Sequence, residues 1–289
     1  GLPYKLAKSF LMVRSIVKRF KPDAVIGVGG YSSFPVLRVA QAKRVPTFIH
    51  ESNSFAGKSN MMLGKKATKI FTGTDGMEKF FPKEKIMVTG NPVRKAITEA
   101  LVSRKEGIEF FSLEESKTTV LVVGGSLGAK SINEAIDKGL DELLVAGLQI
   151  IWQTGKPYAE KGKQRAAGKQ GAWVNEFITQ MEYAYAAADI VVARAGAMTV
   201  AELCVAKKPV LFVPYPFAAE DHQTVNAMAL IKKNAALMVK DTEAKQKLVF
   251  MTIELAKDKG KQEELETNIS KLAITDADVK VAEEILKLI

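Results

Sequence analysis

Cysteine and histidine are scarce in this chain: Cys204 alone of the first, His50 and His222 of the second, among 289 residues. A lone cysteine closes no intrachain disulfide, which suits a reducing compartment, and its neighbours Leu203 and Val205 make it a core thiol by expectation. Two histidines, with no Cys/His or paired-carboxylate spacing around them, form no metal-ligand pattern. Metal-independent chemistry with no cofactor is therefore expected. No apolar run approaches the ~20 residues that a membrane span needs, and Gly1-Leu2-Pro3-Tyr4-Lys5 is not built like a signal peptide. A cytoplasmic chain is expected unless a surface docks it. No complete Gly-x-x-x-x-Gly-Lys-Ser/Thr element supports ATP hydrolysis, since Ser52 stands where Gly57-Lys58-Ser59 would need its first glycine.

What is present is the composition of a folded protein, 47% hydrophobic and 26% charged. The length is ample for two domains of the usual ~100 to 150 residues. A net charge of +10 favours an anionic partner: nucleic acid, a nucleotide phosphate or an acidic membrane. The basic residues are dispersed, no nucleic-acid-binding module is recognisable, and a nucleic-acid partner is not expected.

Residues 5–21 set Leu6, Phe10, Val13 and Val17 at helical spacing with Lys5, Lys8, Arg14, Lys18, Arg19 and Lys21 between them. This pattern predicts an amphipathic basic helix ended by Pro22. Its apolar members Leu6, Phe10 and Leu11 are the candidates for dipping into an anionic membrane surface; packing of the same face on a sheet is the alternative. Short apolar runs then alternate with helical patterns, with strands expected near residues 24–28, 47–50, 69–72 and 86–89. After a charged stretch, Arg104 to Lys117, six more are expected near 119–123, 149–153, 172–175, 190–193, 210–213 and 236–239. Such alternation, with runs as apolar as Val120-Leu121-Val122-Val123, predicts an α/β protein with parallel sheets buried on both faces. Two Rossmann-like domains are expected, residues 1–93 and 94–274, with residues 275–289 a helix that would return to the first. With about four strands against about six, the first domain looks truncated at its amino end.

Two glycine turns follow strands, Gly27-Val28-Gly29-Gly30-Tyr31-Ser32 and Gly124-Gly125-Ser126-Leu127-Gly128. Each brings backbone N–H groups and a helix start to a sheet edge, where anions bind; a tight turn with no ligand is equally consistent. Neither is the dinucleotide fingerprint, because Ser32 stands at the third glycine position of the first and Gly124-Gly125 gives the second no spaced first pair. Arg94, just past a strand, could grip a diphosphate bidentately or be a solvated charge. Small residues in Ala193-Arg194-Ala195-Gly196-Ala197-Met198-Thr199-Val200-Ala201 let a ligand approach the backbone, and Glu202 could accept two ribose hydroxyls. The alternative for Glu202 is a carboxylate placed by the helix dipole. Asp221-His222-Gln223 either converges on the same edge or caps a helix.

In this order, Gly29-Gly30-Tyr31, His50-Glu51-Ser52-Asn53, Gly90-Asn91-Pro92-Val93-Arg94, Gly124 to Ala129, Glu176-Phe177-Ile178, Gly196 to Glu202 and Asp221-His222-Gln223 resemble the MurG family over nearly the whole chain. Its members are the UDP-N-acetylglucosamine:undecaprenyl-pyrophosphoryl-muramyl-pentapeptide N-acetylglucosaminyltransferases. The resemblance implies a GT-B glycosyltransferase fold, with UDP-N-acetylglucosamine on the second domain and lipid I on the first. It implies inverting transfer of the sugar to the muramyl 4-hydroxyl, giving lipid II for peptidoglycan and cell-wall synthesis at the cytoplasmic face of the inner membrane, to which the enzyme would be peripheral. Donor contacts carried over are Asn53, Arg94, Ser126, Ile178, Ala197, Met198, Thr199, Val200, Ala201, Glu202 and Gln223, with Gly29, Gly30 and Tyr31 forming the acceptor-side phosphate loop. The family's amino-terminal glycine-rich loop, which ends in a histidine implicated in catalysis, would precede residue 1. His50 and Glu51 are the nearest acid–base candidates within the chain. A non-catalytic or split-enzyme nucleotide-sugar module is the alternative function.

Overall fold

The computed structural model describes every residue except Gly1 and Ala100, and every side chain except those two and Leu2, Pro3 and Leu6. The described residues divide into two compact units. One runs through Pro92 and takes in Asp276–Ile289; the other is Val93–Thr275.

The first unit begins with helix α1 (Leu2–Phe20), followed by β1 (Val25–Gly27), α2 (Gly30–Ala42), β2 (Thr47–Glu51), α3 (Lys58–Gly64), β3 (Lys69–Thr72) and β4 (Ile86–Val88). The strands pair in parallel in the order β1-β2-β3-β4. Central β2 is buried at all five positions, as the run Thr47-Phe48-Ile49-His50-Glu51 between two neighbouring strands requires. Ile49, Ile70, Leu37, Leu63 and Phe81 pack on one face, and Phe48 stacks on Phe71 at 6.0 Å. On α1, Val17 is buried and Phe10 meets Phe34 edge-on at 6.4 Å. Leu11 and Phe20 remain 71% and 77% exposed among the lysines and arginines. The apolar face of α1 is thus divided: Phe10 packs within the unit and Leu11 faces solvent, while the Leu6 side chain lies outside the described residues.

The second unit contains α4 (Lys95–Thr98), α5 (Arg104–Phe110), β5 (Thr118–Val123), α6 (Lys130–Val145), β6 (Leu148–Gln153), α7 (Ala159–Ala166), β7 (Ala172–Asn175), α8 (Met181–Ala187) and β8 (Ile190–Ala193). It continues with α9 (Ala197–Ala206), β9 (Val210–Phe212), α10 (His222–Ile231), β10 (Leu237–Met238), α11 (Ala244–Lys257) and α12 (Lys259–Ser270). The charged stretch after the first sheet is not a bare linker. Ser103 and Glu106 form a reciprocal capping box that starts α5, and Arg104 holds Asp189 and the carbonyls of Glu115 and Lys117.

The second sheet is parallel throughout, in the order β10-β9-β8-β5-β6-β7. From β5 the chain winds outward through β6 and β7, then returns to lay β8 on the other side of β5 and winds away through β9 and β10. That reversal is a topological switch point, the place where open α/β sheets bind ligands beyond the carboxyl ends of their strands. Leu121 and Val123 point into one core layer and Val120 and Val122 into the other, so β5 is apolar on both faces. Helix α13 (Ala277–Lys287) belongs to the first unit, where Glu284 pairs with Lys69 at 3.2 Å.

Candidate functional site

The switch point brings two loops side by side: Gly124 to Ala129 after β5, and Arg194 to Gly196 after β8. The first turns tightly. Gly125 and Gly128 have φ of 87° and 75°, and a Cβ on Gly128 would lie 2.0 Å from the Thr154 carbonyl oxygen, so glycine is obligatory there. Ser126 is carried outward to solvent. Gln153 braces the turn, donating to Gly125 O at 3.1 Å while its side-chain oxygen accepts the Ile178 N–H at 2.9 Å. One glutamine at the end of β6 thus ties two of the carried-over segments together, a role that sequence inspection missed.

Helices α6, α9 and α10 all start at this carboxyl edge, from Ala129, Gly196 and Asp221, and none has a side-chain hydrogen bond at its N-cap. The positive end of each helix dipole therefore lies at this edge. An arrangement of this kind can accept the charge of a diphosphate without a metal.

Glu202, on the second turn of α9, takes two partners. Its Oε2 accepts from the Tyr185 hydroxyl at 3.0 Å and its Oε1 faces Arg94 Nη2 at 3.2 Å. The structure therefore brings Arg94 and Glu202 together. The Arg94 side chain is 54% exposed and that of Glu202 only 14%, so the carboxylate is fixed from the protein side and the guanidinium sits at the rim. Burial, and then the Glu202 charge beside it, push the Tyr185 phenol well above its usual range, which keeps it a protonated donor.

The loop after β8 is held from beneath by polar contacts that span the unit. Arg194, 8% exposed, donates to the carbonyls of Val213 and Pro214 at 2.9 and 3.1 Å, to Ser131 Oγ at 3.1 Å and to Asp241. Its guanidinium lies 5.4 Å from the Tyr215 ring centroid. Asn226 of α10 donates to Ala195 O at 3.1 Å, and the side-chain oxygen of Gln223 accepts the Tyr215 N–H at 3.0 Å. Gln223 thus shapes the β9–α10 loop. Ala197, Met198, Thr199, Val200 and Ala201 form the opening of α9.

In the first unit, the carboxyl edge collects Gly29, Gly30, His50, Glu51 and Asn53. Gly29 and Gly30 have φ of 93° and 79°, and Tyr31 beyond them is 96% exposed. His50 is buried, with Nε2 3.1 Å from Gly90 O and Nδ1 3.3 Å from Ser52 Oγ. A carbonyl only accepts, which assigns the ring proton to Nε2 and leaves Nδ1 to accept from Ser52. Burial pulls the imidazole below its usual 6.5, against the opposing pulls of the Gly90 carbonyl and the Glu51 charge.

Glu51, 3% exposed, accepts from Asn53 N and Nδ2 at 3.1 and 3.4 Å on one oxygen, and from Gly57 N and Asn60 Nδ2 at 3.0 and 2.8 Å on the other. Its carboxylate is the anchor of the 52–60 segment, and the group it positions most directly is Asn53. Both were candidates for acid–base or acceptor contacts, and the structure shows each side chain engaged in hydrogen bonds at the strand end.

Residues 119–283 match the glycosyltransferase family 28 C-terminal domain and residues 2–72 the glycosyltransferase family 28 N-terminal domain. The chain is 49% identical over 290 aligned positions to the UDP-N-acetylglucosamine--N-acetylmuramyl-(pentapeptide) pyrophosphoryl-undecaprenol N-acetylglucosamine transferase of Phocaeicola vulgatus, covering 99% of this chain and 77% of that protein. It is 46% identical to the transferase of the same name from Parabacteroides distasonis, covering 99% and 78%. Among solved structures, MurG of Acinetobacter baumannii superimposes with a TM-score of 0.80 at 29% identity, over 99% of this chain and 80% of that one. With both domains matched and near-half identity across its length, this chain belongs to glycosyltransferase family 28, among the MurG transferases.

Proposed function

We propose that the protein transfers N-acetylglucosamine from UDP-N-acetylglucosamine to the muramyl 4-hydroxyl of lipid I, with inversion at the anomeric carbon, yielding lipid II. The observation that carries this reading is the convergence at one switch point of the Ser126 turn, three uncapped helix starts and the Glu202 carboxylate, in a chain whose relatives bear that activity in their names.

In this reading Glu202 accepts the ribose hydroxyls. A carboxylate offers about four lone-pair positions, so one on each oxygen remains after Tyr185 and Arg94 have taken theirs. The uracil is read at Ile178 by the backbone carbonyl, because the N–H is already given to Gln153. Ser126 and the starts of α6 and α9 take the diphosphate, with Arg94 and Gln223 at its margin. As the acceptor hydroxyl attacks the anomeric carbon and the bond to UDP breaks, negative charge grows on the diphosphate. Preformed N–H groups and helix dipoles stabilise that charge without reorganising.

The lipid-linked acceptor is assigned to the first unit, with Gly29, Gly30 and Tyr31 as its phosphate loop. His50 and Glu51 serve this edge by shaping it. Among the described residues no helix is long and apolar enough to cross a membrane. The basic helix α1, with Leu11 and Phe20 exposed among its cations, supports peripheral docking to anionic lipid at the cytoplasmic face.

A donor panel tests the assignment. Turnover onto a lipid I analogue with UDP-N-acetylglucosamine, and not with UDP-glucose or a different nucleotide carrying the same sugar, is expected. Equal use of UDP-glucose would sink it.

A further inference from the structure

Tyr185 lies outside every segment assigned to substrate, yet its hydroxyl is the buried partner of Glu202. It sits on α8, only 4% exposed, inside the core layer that contains Ile97, Ile108 and Leu203. Its ring fills that core as a phenylalanine would. The hydroxyl is what differs, and it is aimed at Glu202 Oε2, 3.0 Å away.

The two partners of Glu202 are not equivalent. Arg94 approaches from solvent on a long side chain, more than half exposed, so it can leave without disturbing the core. Tyr185 cannot, because its position is fixed by packing and a phenol has only two side-chain torsions. A Glu side chain has three torsions to fix, and unpinned it samples several. A pair of adjacent hydroxyls needs both carboxylate oxygens in one plane and at one height, so fixing a single oxygen from below sets the other.

We propose that Tyr185 is the positioning residue of the ribose site: it fixes the Glu202 carboxylate so that the nucleotide's 2′- and 3′-hydroxyls meet both oxygens, and so contributes selectivity for a ribonucleotide donor over its deoxy counterpart. This rests on the reading of Glu202 as the ribose acceptor. The elevated pKa of the phenol agrees with it, since a group that stays protonated can keep donating throughout the working range. Buried tyrosines commonly find a partner for the hydroxyl. The merely structural version of the contact is therefore that Glu202 serves Tyr185, and it predicts a different outcome.

The experiment compares Tyr185→Phe, Glu202→Ala and the unaltered protein, each titrated calorimetrically with UDP and with 2′-deoxy-UDP, with melting curves taken alongside. Tyr185→Phe keeps the core volume, so a cooperative melt is expected. Its affinity for UDP should fall roughly five-fold or more, the scale of one net hydrogen bond, while 2′-deoxy-UDP changes less than about two-fold. The preference for ribose then collapses by the same factor, with KM for the donor sugar rising and kcat little changed. Parallel losses for both nucleotides, or no loss for UDP, would overturn the positioning role and leave a structural hydrogen bond. If Glu202→Ala itself retains the full preference for UDP over 2′-deoxy-UDP, the ribose assignment of Glu202 fails first, and the proposal with it. A Glu202→Ala protein that loses the preference while Tyr185→Phe retains it sinks only the role of Tyr185.

Discussion

Arg94 Nη2 stands 3.2 Å from Glu202 Oε1, joining two positions 108 apart in the sequence. The residue proposed for the diphosphate and the residue proposed for the ribose thus meet within one unit. A bound diphosphate and ribose would share or divide this pair. Removing either member therefore has consequences that can be told apart.

Glu202→Ala deletes the ribose acceptor and also strands the buried Tyr185 hydroxyl. UDP affinity should drop about ten-fold or more, as for a hydrogen bond to a charged group, and the unoccupied protein should lose about 1 to 3 kcal/mol of stability for the orphaned donor. Calorimetric titration and a denaturant melt read the two effects separately. A folded variant with unchanged UDP affinity ends the assignment.

Arg94→Ala removes only the exposed half of the pair. A surface ion pair is worth ~0 to 1 kcal/mol, so the melt should move little. Binding of UDP should weaken by an order of magnitude while binding of uridine, which has no phosphate, stays level. Equal losses for UDP and uridine would show that Arg94 does not address the diphosphate.

The His50 imidazole is held below its ordinary 6.5 by burial. Its folded pKa is therefore lower than its unfolded one, and below that ordinary value the unfolded chain binds the extra proton more readily. Stability that is fully present above pH 6.5 should fall as the pH drops toward and through the folded pKa. His50→Gln, which can still donate to Gly90 O, should flatten that slope in denaturant melts between pH 7 and pH 5. An unchanged slope would mean that the acid sensitivity lies elsewhere.

Membrane docking through α1 is best probed at Leu11, since Phe10 is engaged with Phe34. Leu11→Ser should leave the melt intact and reduce sedimentation with vesicles rich in anionic lipid, and added salt should reduce it further. Phe10→Ser should lower both binding and stability. Sedimentation indifferent to Leu11→Ser and to salt would return α1 to an ordinary packing role.

Much of this architecture could be read in advance because parallel strands buried on two faces are written as unbroken apolar runs. Thr118–Val123 is the clearest, and both four- and six-strand groupings follow from the spacing of such runs. Strand order could not be read, since nothing local says that β8 returns to lie against β5. The capping box of α5 lay in a stretch read by its charge alone. At the site, small residues and a helical glutamate marked the place, but the partners that define its geometry are distant in sequence. Arg194 meets Ser131 and Asp241 from 63 and 47 residues away. For His50 and Glu51 the residue types suggested proton transfer, whereas the neighbours that occupy their nitrogens and oxygens appear only once the chain is folded.

The return of α13 to the first unit sets a timetable for synthesis. Residues through Pro92 leave the ribosome before Val93–Thr275, and Asp276–Ile289, which supplies Glu284 to Lys69, follows both. Domains generally fold as units while the chain is being made, so the uninterrupted unit can finish while the earlier one still waits for α13. The first sheet therefore stays without one of its helices until the whole of the second unit has been made, and its completion depends on translation passing through that unit.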